Sequence, residues 1–290
     1  MNLYQHLMKP FLFLLISMSI ITSCERSQGT STNHYLSEKT LLNISYGDDS
    51  AQRMDIYLPA GRTLTATKAI VLIHGGGWNG GNKSDFNSYV DTFKRRLPDY
   101  AIFNINYRLV SNNHLFPTQE KDVKSAIDFI TDKAAEFQFD TSRIVLLGAS
   151  AGGHLALLQA YKYKSPRIKA VIDYFGPTDL TAMYEHPWHP LVTYALQMVT
   201  GTTPEDNPEL YRQSSPMNFV TSKSTPTLIF HGGSDNVVDV SQSKELHAKL
   251  QQVGVVNDLV IYSNERHGWY GRNLTNSFDH VVSFLDKNVQ

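Results

Sequence analysis

The chain has 290 residues, enough to bury a full core in one α/β domain. Hydrophobic residues make up 41% and charged residues 18%, an ordinary globular composition, and a formal net charge of -1 removes the electrostatic basis for nucleic-acid binding. The one cysteine is Cys24, so the chain beyond it can form no disulfide and its stability has to come from packing.

Lys9 precedes an apolar run from Phe11 to Ile21, about the length of the apolar core of an export signal and too short to span a bilayer comfortably. The run ends at Ile21-Thr22-Ser23-Cys24, which resembles the lipobox of bacterial lipoproteins. That resemblance implies lipidation of Cys24 and a membrane-anchored protein of the bacterial cell envelope. Residues 25–36 are polar and rich in Ser and Thr, the composition of a flexible tether. The expected organisation is therefore a signal over residues 1–23, a tether over 24–36 and one folded domain over 37–290.

From residue 37 the pattern is β/α. Leu41 to Tyr46 and Arg53 to Leu58 read as two short strands joined by the turn-forming Gly47-Asp48-Asp49-Ser50, an antiparallel hairpin at a sheet edge. Ala69 to Ile73, Ala101 to Asn106, Arg143 to Leu147, Ala170 to Phe175, Thr227 to Phe230 and Leu259 to Tyr262 are apolar runs expected to be strands buried on both faces. Helices are expected over Ser84 to Leu97, Thr118 to Phe137, Gly153 to Tyr163, Ser241 to Val253 and Asn273 to Asn288. In the second of these, Val123, Ile127 and Ile130 have the spacing of a buried stripe. Alternating strands and helices predict a mostly parallel sheet with helices on both faces.

Four stretches carry chemistry. Gly148-Ala149-Ser150-Ala151-Gly152 follows an apolar strand and opens a helix of small residues, the context in which a G-x-S-x-G serine becomes a nucleophile; a serine at that place can also simply cap the helix. His74-Gly75-Gly76-Gly77-Trp78 follows the first buried strand, and its three glycines allow the backbone to turn N–H groups toward a ligand. No G-K-[ST] or G-x-G-x-x-G pattern accompanies it, which argues against a phosphate loop. Asp235 follows the strand Thr227 to Phe230, where Asp is also a common turn former, and His267 follows the last strand. Ser150, Asp235 and His267 thus fall in loops after three separate parallel strands, and such loops converge on one edge of the sheet.

Together with Asn106-Tyr107-Arg108-Leu109, Phe116-Pro117, Asp122-Val123 and Gly176-Pro177-Thr178-Asp179-Leu180, these stretches resemble the α/β-hydrolase superfamily. The resemblance is narrower to the small esterases related to hormone-sensitive lipase and to bacterial acetyl and feruloyl esterases. It implies Ser150 as nucleophile, His267 as general base and then acid, Asp235 as the group orienting the imidazole, and an oxyanion hole from the N–H groups of Gly76, Gly77 and Ala151. It calls for no metal or cofactor. The expected reaction is hydrolysis of short-chain or sugar-linked acyl esters through an acyl-enzyme. Amide hydrolysis by the same residues and a non-catalytic binding module on the same fold are the alternatives.

Trp78 and Trp269 flank these motifs and are candidates to line the substrate pocket, although both could equally pack in the core. His74 and His154 are expected to bond loop backbone, and His231 and Lys83 to be structural. Glu185, His186 and His189 are interrupted by Pro187 and Pro190 and lack the helical spacing of a metal site. The connection from Pro177 to Ser224, with Tyr184, Trp188, Tyr194 and Met198, is long enough to form a partial lid.

Overall fold

The computed structural model describes residues 35–290; the expected export signal, Cys24 and the tether up to residue 34 lie outside the described residues. Among the described residues eight strands form one sheet in the order β1-β2-β4-β3-β5-β6-β7-β8. β1 (Lys39–Ser45) and β2 (Arg53–Leu58) make the expected edge hairpin, and β2 also runs antiparallel to β4 (Tyr100–Ile105). From β3 (Lys68–Ile73) through β4, β5 (Ile144–Ala149), β6 (Ile168–Tyr174), β7 (Thr227–Gly232) and β8 (Asn257–Tyr262) all pairings are parallel.

The continuous apolar runs are explained by two cores. Ile70, Leu72, Val145, Leu147 and Ile172 point to one face, where they meet Val90 and Phe93 of α1 (Asn87–Arg96) and Phe278, Val281 and Phe284 of α9 (Gly271–Asn288). Their neighbours Val71, Ile73, Leu146 and Val171 point to the other. There α2 (Thr118–Asp132) contributes the expected stripe of Val123, Ile127 and Ile130. α4 (Ala151–Tyr161) and α8 (Ser241–Gln252) complete this layer through Leu155, Leu158, Leu246 and Leu250. Because side chains alternate across a strand, a strand covered on both sides is apolar at most of its positions, and a polar residue there, such as Asp173 of β6, is buried.

Some expectations are corrected. Among the described residues β8 pairs only with β7 and is half-exposed along its length, so Leu259 to Tyr262 is an edge strand rather than one buried on both faces. The helix expected from Ser84 starts as a tight turn over Lys83–Phe86, where Asn82 accepts from the Ser84 N–H and Asp85 accepts from the Asn82 N–H. The helix expected over residues 118–137 breaks at Lys133, leaving the single turn α3 (Ala134–Phe137). The connection between β6 and β7 folds into α5 (Leu180–Glu185), α6 (Leu191–Thr200) and α7 (Pro208–Gln213).

β6 also buries a carboxyl. One Asp173 oxygen accepts the Gly176 N–H at 3.0 Å, and the other has no partner among the described residues. Burial pushes its pKa up to about 7 against the opposing pull of His231 and of the Gly176 hydrogen bond.

Two measurements check this picture. Leu158→Ala, in the closed face of α4, is expected to cost about 2–5 kcal/mol in urea unfolding, with a clearly smaller loss for Ile261→Ala on the open edge strand; equal losses would contradict the layer assignment. Asp173 keeps in the folded state a proton that an unfolded carboxyl releases at about 4, so its contribution to stability declines as pH rises between about 4 and 7. The Tm of Asp173→Asn should therefore gain on wild type from about pH 5 to pH 8, and a flat difference would show that the carboxyl is already ionised at pH 5.

Candidate active site

β5 delivers Ser150 through a sharp turn into α4. The serine has φ +55° and ψ -121°, a conformation that side chains rarely adopt. The turn leaves no alternative, because α4 starts against the backbone of β3. A Cβ on Gly152 would lie 1.9 Å from the Ile73 carbonyl oxygen, and one on Gly148 would lie 2.1 Å from the Gly152 oxygen. Ser150 N–H donates to the Tyr174 carbonyl at 2.8 Å and the Ser150 carbonyl accepts from His154 N–H at 3.0 Å, so the bend is held from both sides. The side chain does not cap the helix. Its hydroxyl faces outward to the loop after β8.

There the His267 Nε2 lies 2.9 Å from Ser150 Oγ, and Nδ1 lies 2.7 Å from Asp235 Oδ2. The carboxylate can only accept, so Nδ1 carries the proton and Nε2 is left to accept from the serine. Oδ1 of Asp235 accepts from the N–H groups of Val237 and Val238 at 2.7 and 3.0 Å, so the aspartate is at once turn former and imidazole partner. Its side chain has no solvent exposure. Burial alone would raise the Asp235 pKa, but hydrogen bonds with His231 and His267 outweigh that and hold it well below the usual carboxylate range. Phe175, with φ +47°, lays its ring 4.5 Å from the His267 ring.

The glycine loop after β3 closes the other side. Gly76 and Gly77 have φ +106° and +57°, and the Gly76 carbonyl accepts from Asn79 and Gly80. The N–H groups of Gly76, Gly77 and Ala151 donate no hydrogen bond among the described residues. His74 and His154 brace this loop, as expected of them. His74 Nδ1 donates to the Gly75 carbonyl at 2.7 Å and its ring stacks on Tyr107 at 4.3 Å. His154 Nε2 donates to the Ser214 carbonyl at 2.6 Å, leaving Nδ1 to accept from the Trp78 indole at 3.2 Å. Burial pushes the His154 pKa down to about 4, which keeps that acceptor available. Lys83 is buried in an ion pair with Asp55 at 2.7 Å. His186 and Glu185 are exposed, and the His189 ring accepts from Leu191 N–H at the start of α6.

Ser150 and His267 open into a cavity of about 490 Å³. Trp78 reaches it; Trp269 does not, a correction to the sequence expectation. Trp269 is buried against Tyr174, Phe175 and Tyr262 beneath the site, because Gly268 turns the chain back over the sheet edge at φ +118°. The connection between β6 and β7 does wall the cavity, but through Met183, Val192, Ala195, Leu196 and Val199; Tyr184, Trp188, Tyr194 and Met198, the apolar residues that stand out in the sequence, do not line it. Tyr194 and Met198 face solvent. Val192, Ala195, Leu196 and Val199 follow i, i+3, i+4, i+7, a helical stripe that the sequence carries openly and that Pro187 and Pro190 obscure.

Residues 54–250 match the family model described as BD-FAE. Over 222 residues the chain is 27% identical to Esterase LipC of Mycobacterium tuberculosis (strain ATCC 25618 / H37Rv), covering 72% of this chain and 55% of that protein. The chain thus spans about half the length of that relative. Among solved structures it is similar to a bifunctional GH43-CE of Bacteroides eggerthii, with a TM-score of 0.73 and 28% identity over 84% of this chain and 38% of that one. It is also similar to a truncated carbohydrate esterase from gut microbiota, with a TM-score of 0.71 and 25% identity over 86% of this chain and 98% of that one. A match running from β2 into α8, on a sheet shared with these structures, shows that the chain belongs to the BD-FAE family and has the α/β-hydrolase fold.

Proposed function

We propose that this protein is a serine carboxylic-ester hydrolase in which Ser150, His267 and Asp235 act through an acyl-enzyme. The observation that carries this reading is the unbroken hydrogen-bond chain from Ser150 Oγ through both ring nitrogens of His267 to Asp235 at the mouth of a cavity. In the first half-reaction His267 Nε2 takes the hydroxyl proton as Ser150 Oγ attacks the acyl carbon. The oxyanion that forms is met by the free N–H groups of Gly76, Gly77 and Ala151, which are already turned and need no reorganisation. Collapse expels the alcohol, which receives its proton from His267. Water then gives a proton to His267 while its oxygen attacks the acyl carbon, and collapse returns the proton to Ser150. Asp235 remains ionised throughout and stabilises the imidazolium.

The expected substrates are short-chain or sugar-linked acyl esters, acetyl or feruloyl. The apolar wall from α5 and α6 supports an acyl group on that side of Ser150. The carbohydrate esterases among the similar structures support a sugar alcohol. A location at a bacterial envelope, anchored through Cys24, is supported by the apolar run that ends before that residue.

With p-nitrophenyl acetate, butyrate and octanoate, kcat/KM is expected to fall with acyl length, and Ser150→Ala is expected to lose on the order of 10⁴-fold or more in kcat while retaining its fold. A folded Ser150→Ala protein as fast as wild type would refute the reading. In a bacterial host, Cys24→Ser should move the protein from the membrane to the soluble fraction; membrane retention would refute the anchor.

A further inference from the structure

His231, the penultimate residue of β7, is wholly buried and does not line the cavity, yet it touches the same carboxylate oxygen that His267 uses. Its Nε2 lies 3.0 Å from the Val238 carbonyl oxygen and 3.3 Å from Asp235 Oδ2. A carbonyl only accepts, so Nε2 carries hydrogen and points it between these two oxygens. Nδ1 then accepts from the hydroxyl of Ser243 on α8, at 2.6 Å, and Ser243 is itself fully buried. The two ends of the Asp235–Val238 turn are therefore gripped from inside by one ring, whose tautomer is set by one hydroxyl. From above, the Val237 and Val238 N–H groups hold the other oxygen of Asp235. Asp173 of β6 is a second acidic group that interacts with this ring, and the Phe175 ring lies edge-on to it at 6.5 Å.

We propose that His231 and Ser243 form a positioning pair for Asp235, continuing the chain from Ser150 and His267 into the body of the fold. The proposal rests on the esterase reading above. His231 does not contact substrate; it acts by fixing the direction in which Asp235 Oδ2 faces His267 Nδ1. A carboxylate held by two backbone N–H groups alone can swing its second oxygen away from the imidazole, and the imidazole then loses both its tautomer and its orientation. Ser243 acts one step further back. Without its hydroxyl, Nδ1 has no donor, and the ring is free to turn or to exchange tautomers so that an unprotonated nitrogen faces Asp235.

The test uses full-length protein with Ser150 titrated by a p-nitrophenyl phosphonate, which releases one p-nitrophenolate as Oγ bonds to phosphorus. Rates are then expressed per titrated site on p-nitrophenyl butyrate. His231→Leu is expected to keep a full titre and an unchanged KM while kcat per site falls about 10- to 100-fold, the range for losing a hydrogen bond to a charged group. His231→Gln, whose amide can still donate toward Asp235, should recover a large part of that loss. Ser243→Ala should lose less than His231→Leu, and the double variant should be no slower than His231→Leu alone, because the hydroxyl acts only through the ring. The proposal is overturned if kcat per titrated site in His231→Leu stays within about twofold of wild type, or if the loss appears only as a lower titre, the mark of a purely structural role. Additive losses in the double variant would overturn the pairing with Ser243. If wild type shows no serine-dependent turnover, it is the esterase reading that fails, and that outcome is seen before any His231 variant is made.

Discussion

The contact on which the site depends is the approach of α4 to β3, where Gly152 lies against the carbonyl of Ile73 with no room for a methyl group. Such an approach forces the chain leaving β5 to turn within one residue, and that residue is Ser150. The resulting φ of +55° is a strained conformation of the kind that costs about 1–3 kcal/mol, and it persists only where its surroundings over-determine it. Here the surroundings are α4, all eleven of whose residues are buried, and the backbone bonds to Tyr174 and His154. A relaxed serine would cap the helix with its hydroxyl. The strained one points it toward His267.

From that turn the rest of the site is tied together by buried polar groups whose donors and acceptors are matched. His154, one turn into α4, receives the Trp78 indole of the glycine loop and donates to Ser214 at the end of α7. The segment between β6 and β7 is held a second time by Gln242 of α8, whose side-chain oxygen accepts from the N–H groups of Thr178 and Asp179. Leu180 N–H also donates to the hydroxyl of Ser215. The apolar wall of the cavity is thus attached through hydrogen bonds to the same two helices, α4 and α8, that follow Ser150 and brace His231 beside Asp235. Buried polar groups are costly when unpaired and restrictive when paired, so these contacts set the position of the wall as well as its stability.

Asp235 shows why charge and fold cannot be separated here. A carboxylate with no solvent exposure would ordinarily take up a proton, but four contacts, two from backbone and two from imidazole rings, favour its ionised form. Asp173, on the neighbouring strand, has one such contact, and its pKa goes the other way. Two buried aspartates within one sheet edge are set apart by the number of donors that face them.

The elbow glycines, the glycine loop and the order Ser150, Asp235, His267 were readable because each is a local requirement: a turn without side-chain room, N–H groups facing outward, loops after parallel strands. The sheet and its two helical layers were readable for the same reason, since alternation and stripe spacing are properties of a few consecutive residues. The fate of Trp269 was not, because the direction in which the chain leaves an edge strand depends on the twist and the packing beneath it. Nor was the half-exposed state of β8, since an edge strand differs from a central one only in having no neighbour. The α6 stripe was present but ambiguous until the helix had a cavity to face. By itself the sequence determined the glycines around Ser150 and after β3, and the alternation of strands and helices that puts Ser150, Asp235 and His267 in loops after parallel strands. Only the tertiary structure decided which side chains line the cavity, which tryptophan reaches it and that His231 lies against Asp235, because each depends on surfaces brought together from opposite ends of the chain.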